Sequence, residues 1–165
     1  MLILGIDPGT AIMGYGLIEK NGQKLSPVTY SCWRTPPDLP MPDRLRILYE
    51  SLEDFLKEYA PDVMAVEELF FNRNTTTAIT VGQARGVVLL GAARRNIEVF
   101  EYTPLQVKQA VVGYGKADKK QIQYMVKAIL SLQETPKPDD TADALAIAIC
   151  HAHSMGRRIN GGMLK

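Results

Sequence analysis

The 165-residue sequence has only two cysteines, Cys32 and Cys150, far apart along the chain. Two are too few for a disulfide framework, and a reducing, cytoplasmic setting is the expectation that follows. There is no surplus of charge: 19 Lys and Arg stand against 18 Asp and Glu, a net charge of +1. No overall basic field draws in nucleic acid, so any such partner must be met by a local patch. No apolar run approaches the length of a membrane span, and no membrane partner is expected. The start lacks the basic segment and cleavage site of a signal peptide. Internal repeats and interior linkers are missing too. One domain over residues 1–153 is expected, followed by a Gly-rich, basic and mobile tail over 154–165.

What is present organises itself around the first ten residues. Leu2, Ile3, Leu4 and Ile6 form an apolar run that fits a buried strand, and it stops at Asp7, where Pro8-Gly9 force a turn. Tyr15–Lys20 and Leu25–Arg34 read as two further strands, with Asn21-Gly22 as the hairpin signal between them. The four prolines of Thr35–Pro42 predict a loop. From Asp43 to Tyr59, Leu45, Leu48, Tyr49, Leu52, Phe55, Leu56 and Tyr59 recur at helical spacing.

Val63–Val66 is a short strand that ends in Glu67-Glu68. Thr75–Arg95 reads as a helix rich in Ala and Gly, and Ile97–Tyr102 as a fifth strand. Thr103-Pro104 is a helix start, with Thr as cap and Pro at the first helical position. Two more helices follow, over Asp118–Leu132 and Asp139–His153. The order β-β-β-α-β-α-β-α-α-α predicts an α/β fold with a five-stranded mixed sheet and helices on both faces. This is the plan of the ribonuclease H-like fold.

Asp7 and Glu67 each end a strand. If those strands are parallel neighbours, both carboxylates emerge at one sheet edge, where α/β folds place their ligands. Asp140 and Asp143 stand at i and i+3 in the first turn of the last helix and project from one face. Each has an ordinary reading alone: a turn former, a strand end, favourable charges at a helix N-terminus. Together they repel. Two unit charges about 4 Å apart cost on the order of 4 kcal/mol at an effective dielectric of 20. Divalent cations relieve this, and all-oxygen ligands suit Mg²⁺ or Mn²⁺. A pair of such ions supports in-line cleavage of a phosphodiester.

The same residues carry a resemblance. Leu4-Gly-Ile-Asp-Pro-Gly-Thr10 with Gly14-Tyr-Gly16 resembles the opening of the RuvC family of four-way (Holliday) junction endonucleases. The likeness continues through Val66-Glu67, Gly82-Gln-Ala-Arg-Gly86, Gln106-Val-Lys-Gln109, Gly113 to Lys119, and Asp140-x-x-Asp143-Ala-Leu-Ala-Ile-Ala. It implies that Asp7, Glu67, Asp140 and Asp143 are the catalytic, metal-binding acids, with two Mg²⁺ per site and Mn²⁺ as a substitute. It implies that Phe70 stacks on a base at the crossover, and that Lys108 and Lys119 serve phosphate contact or cleavage. A homodimer that nicks two strands symmetrically is implied, as are a branch-migration motor and its junction-binding partner. The Thr35–Pro42 loop matches no signature of the family.

Around these residues lie further candidates. Between Thr103 and Gln133 stand Lys108, Lys116, Lys119, Lys120 and Lys127 against one acid, Asp118, a local patch able to bind DNA phosphates. The plain alternative is a solvated lysine-rich face. Phe70 is the candidate for base stacking, Phe71 for the core or a dimer contact, and Arg73 for backbone phosphates. The small residues of Thr75–Arg95 make it the candidate dimer helix, with close packing on the sheet as the alternative. His151 and His153 are poorly spaced for a metal. Two other functions stay open at this point: a module that holds junctions without cutting, and an actin-like or sugar-kinase-like ATPase, whose first phosphate loop resembles Gly5–Thr10. No second phosphate loop is found.

Overall fold

The computed structural model describes residues 1–68 and 75–158. Its elements run β1 (Leu2–Asp7), β2 (Ile12–Asn21), β3 (Lys24–Arg34), α1 (Met41–Tyr59), β4 (Val63–Glu67), α2 (Thr75–Arg94), β5 (Glu98–Tyr102), α3 (Pro104–Val112), α4 (Lys119–Ile129) and α5 (Asp139–Arg158). The strands form one sheet in the order β3-β2-β1-β4-β5. β1, β2 and β3 pair antiparallel, while β4 runs parallel to both β1 and β5. This is the mixed, ribonuclease H-like sheet that the element order predicts.

Strand alternation sorts the core into two layers. Leu4, Ile6, Met13, Leu17, Met64 and Val66 face one way and pack against Leu48, Leu52, Phe55 and Leu56 of α1 and Ala84, Val88 and Ala92 of α2. Ile3, Ile18, Val63, Ala65 and Tyr102 face the other way, against α3, α4 and α5. Helices therefore cover both faces. Asp7 and Glu67 fall on the odd-numbered rows of β1 and β4, the rows that Ile3, Val63 and Ala65 place under α5.

α5 is the central helix of its layer and touches all five strands. It can lie so close because the sheet beneath it has a glycine floor. Gly5 pairs with Gly16, and Asp7 pairs with Gly14, across β1 and β2. A Cβ on Gly5 would run into the carbonyl oxygen of Ala144, and one on Gly14 into that of Asp140. The helix answers with its own small residues, the buried Ala142, Ala144, Ala146 and Ala148.

Several boundaries differ from the sequence reading. The hairpin loop is Gly22-Gln23, flanked by the Asn21–Lys24 pair, with Gly22 at φ 59°. The glycine takes the left-handed position and the asparagine stays in the ladder. α1 begins at Met41, inside the expected loop, because Pro42 is tolerated in a helix's first turn. α5 continues past His153 to Arg158, so the expected mobile tail begins as helix. No Pro or Gly interrupts the chain there before Gly156, and the Ser154 hydroxyl donates back to the Cys150 carbonyl at 2.8 Å.

Candidate active site

Three elements deliver the acids. Ile6 pairs with Val66 across the parallel β1–β4 ladder, so Asp7 and Glu67 follow side by side at the carboxyl ends of neighbouring strands. Gly14, beside Asp7, lets the first turn of α5 settle over the same edge and brings Asp140 and Asp143 with it. A cleft of about 250 Å³ opens there, lined by Asp7, Glu67, Asp143, Lys108 and Lys119 among others. Asp140 is outside that lining, but its charge acts on Asp7.

The electrostatics are those of a site short of positive charge. Burial, then Asp143, Glu67 and Asp140, push the Asp7 carboxyl up to about 7 from its ordinary 3.8. Burial and the Asp143 charge raise Glu67, and Lys108 pulls it partly back. Burial raises Asp143 against the opposing pull of Lys119. Three acids are thus held above their ordinary range by loss of water and by one another. The lysine responds in kind: burial works against its charge, yet Asp143 and Asp139 keep Lys119 above the ordinary lysine range.

The donor set fits divalent cations of the oxygen-seeking kind: carboxylates only, on a partly open cleft that leaves room for water and substrate. The side chains do not already form a closed cage. Among the described residues, no three acidic, histidine or cysteine side chains surround one ion-sized point. Lys119 Nζ instead sits 3.3 Å from Asp143 Oδ2.

Of the sequence candidates, Asp7, Glu67, Asp143, Lys108 and Lys119 meet in the cleft, with Asp140 at its edge. Lys116 and Lys120 are exposed on the segment that leads into and begins α4, outside the cleft. Phe70, Phe71 and Arg73 lie outside the described residues. His151 is buried under β5 and hydrogen-bonded to the Tyr102 hydroxyl at 2.8 Å, which makes it a core histidine. His153 Nδ1 lies 3.0 Å from the Ala110 carbonyl. Sequence reading missed two features of the site. One is the glycine floor, whose signal was Gly14 and Gly16 alternating with period two on the face of Asp7. The other is Asp139 with Gln123, which bind one another at 2.8 Å beside Lys119.

A family model described as crossover junction endodeoxyribonuclease RuvC matches residues 3–151. The chain belongs to the RuvC family. A RuvC crossover junction endodeoxyribonuclease of Desulfitobacterium hafniense is 71% identical, covering 99% of this chain and 100% of the relative. That of Desulforamulus reducens is 67% identical over 92% of this chain and 93% of the relative. Among solved structures, Thermus thermophilus RuvC in complex with a Holliday junction substrate superimposes with a TM-score of 0.89 at 39% identity, over 94% of this chain and 96% of that one. A yeast mitochondrial Holliday junction resolvase shares the fold at 16% identity, with a TM-score of 0.66. RuvC membership retires the ATPase reading, since the match runs through the carboxylate strands and α5 alike.

Proposed function

We propose that the protein resolves four-way recombination junctions by symmetric nicking of two DNA strands, leaving 5′-phosphate and 3′-hydroxyl ends. RuvC membership stands behind the activity. The observation that carries the chemistry is the meeting of Asp7, Glu67 and Asp143 at one sheet edge, with Asp140 beside them and Lys108 and Lys119 in the same cleft.

The four acids are the residues that would hold Mg²⁺, two ions per site with Mn²⁺ able to replace them. Such ions, when bound, supply activation of the attacking water and stabilisation of the departing 3′-oxygen. The chain's own residues do the rest. In the metal-free cleft the Asp7 carboxyl keeps its proton up to a pH of about 7, and its deprotonated form would be the ligand. Lys108 and Lys119 bind the scissile phosphate and offset charge that develops on its free oxygens. Lys116 and Lys120 extend the contact along the DNA backbone, and Arg73 assists with backbone phosphates. Phe70 stacks on an unpaired base at the crossover, a contact worth about 1–3 kcal/mol, and Phe71 serves the core or the dimer.

The homodimer forms through α2. Its inner face is buried in the core, while Ile79, Gln83, Gly86, Leu90 and Ala93 lie exposed along the other side at alternating spacings of four and three. That spacing makes a seam two helices can share. A two-fold dimer matches the two-fold pair of scissile bonds. A branch-migration motor and its junction-binding partner deliver the substrate, and the cytoplasm is the setting. Among the described residues no helix is long and apolar enough to cross a membrane.

The test is cleavage of a synthetic mobile four-way junction in Mg²⁺ by the wild type and by Asp7→Asn. Paired nicks from the wild type and their loss in the variant are expected. Equal nicking by both removes Asp7 from the site. Junction binding without nicks in either metal would make the protein a holding module.

A further inference from the structure

Lys119 is shared between two carboxylates with different surroundings. Its Nζ lies 3.3 Å from Asp143 Oδ2, in the cleft, and 3.2 Å from Asp139 Oδ2, outside it. The other oxygen of Asp139 accepts a hydrogen bond from Gln123 Nε2 at 2.8 Å. Lys119 and Gln123 are i and i+4 on α4, so one face of that helix grips one carboxylate by both of its oxygens. Asp139 opens α5, the helix that carries Asp140 and Asp143.

As a contribution to stability this pair counts for little, because both side chains are more than half exposed. Its value is geometric. Lysine has a long, flexible stem and a single point charge, so nothing in its own chemistry fixes where the ammonium stands. Asp143 cannot serve as its anchor throughout. A divalent cation held by that carboxylate would repel the ammonium beside it. Asp139 then remains, held in orientation by Gln123.

We propose that Asp139, oriented by Gln123, is a positioning residue that keeps Lys119 at the rim of the cleft, facing the scissile phosphate, when Asp143 is engaged by metal. The inference rests on the reading that Lys119 serves the phosphate. It also accounts for an exposed acid beside a site that must bind a polyanion: the acid's charge is already spent on the lysine.

The test is a double-mutant cycle of Asp139→Ala and Lys119→Ala, read by nicking of a four-way junction at saturating Mg²⁺. Lys119→Ala is expected to lower kcat about a hundredfold. Asp139→Ala is expected to lower kcat about tenfold with KM little changed, since a loosely held group costs rate more than binding. In the Lys119→Ala background, Asp139→Ala should have no further effect. Asp139→Glu should recover part of the loss, and Gln123→Ala should reproduce a smaller one.

A second readout needs neither metal nor activity. Acylation of lysines in EDTA, mapped by mass spectrometry, should show Lys119 more reactive in Asp139→Ala and in Gln123→Ala, with Lys116 and Lys120 unchanged. If Lys119→Ala nicks like the wild type, the reading of Lys119 fails and the positioning role goes with it. If Lys119→Ala is impaired while Asp139→Ala matches the wild type, or loses the same factor with and without Lys119, the positioning role alone is overturned.

Discussion

Gly14 of β2 lies beneath the Asp140 carbonyl of α5, across a gap that a single methyl group would close. Asp140 can stand over the edge that presents Asp7 only because position 14 has no side chain. Gly14→Ala should therefore act twice. The added methyl meets helix backbone rather than a flexible side-chain tip, so relief requires α5 to move. Overpacking of this kind costs about 1–3 kcal/mol. A lower melting temperature is expected together with loss of junction nicking out of proportion to the fraction unfolded. Full activity at a temperature where the variant is folded would show that the close approach is dispensable.

Asp7 links pH to stability with an unusual sign for a carboxylate. Its pKa rises from 3.8 to about 7 on folding. Between those values the folded chain holds a proton that the unfolded chain has lost. The metal-free protein therefore loses stability as pH rises through this window, and the penalty is complete above it. Asp7→Asn should be more stable than the metal-free wild type at pH 8, by on the order of 2–4 kcal/mol. The advantage should shrink toward pH 4. Thermal melts in EDTA at a series of pH values check this, and an advantage that grows on acidification would contradict it.

At the proposed metal site, protons and metal would compete for the same acids. With Asp7, Glu67 and Asp143 all raised, the Mg²⁺ concentration needed for half-maximal nicking should rise as pH falls below about 7. Extra Mg²⁺ should restore the rate at pH 6. A rate that falls with pH at every Mg²⁺ concentration would assign the loss to another group.

The exposed seam of α2 makes the proposed dimer testable without DNA. Leu90 is 56% exposed and Ile79 63%. Leu90→Glu should convert a dimer into a monomer in light scattering while leaving the melting temperature of the monomeric fold largely intact. Nicks on opposite strands should then become uncoupled in time. An unchanged dimer mass would place the interface elsewhere.

The outer lysines should contribute to affinity without touching chemistry. Lys116→Ala and Lys120→Ala are each expected to weaken binding at every sequence, and to reduce the slope of log affinity against log salt by about one. The single-turnover rate at saturating enzyme should hold. A change of rate with unchanged binding would move either residue into the cleft.

Local physics made much of the fold legible in advance. Leu48, Leu52, Phe55 and Leu56 mark the buried face of α1 by spacing alone, and Asp7 and Glu67 end their strands where the apolar runs end. Thr103 and Gln106 form the expected helix start as a reciprocal capping box. What stayed hidden depends on contacts between distant parts of the chain. Gly5, Gly14 and Gly16 show no packing role in the sequence until α5 is laid across them. Asp139 reads as an ordinary acid at a helix N-terminus until α4 brings Lys119 and Gln123 against it. Helix ends also drifted, at Met41 and Arg158, because propensity changes slowly there and packing decides.

The acids proposed for catalysis come together from distant parts of the chain: Asp7 from β1, Asp140 and Asp143 from α5. During synthesis, then, Asp7 leaves the ribosome ahead of Asp140 and Asp143, with every element from β2 to α4 made between them. A chain cut before α5 lacks Asp140 and Asp143 and leaves the glycine floor of the sheet uncovered. A nuclease built this way arms itself only on completion.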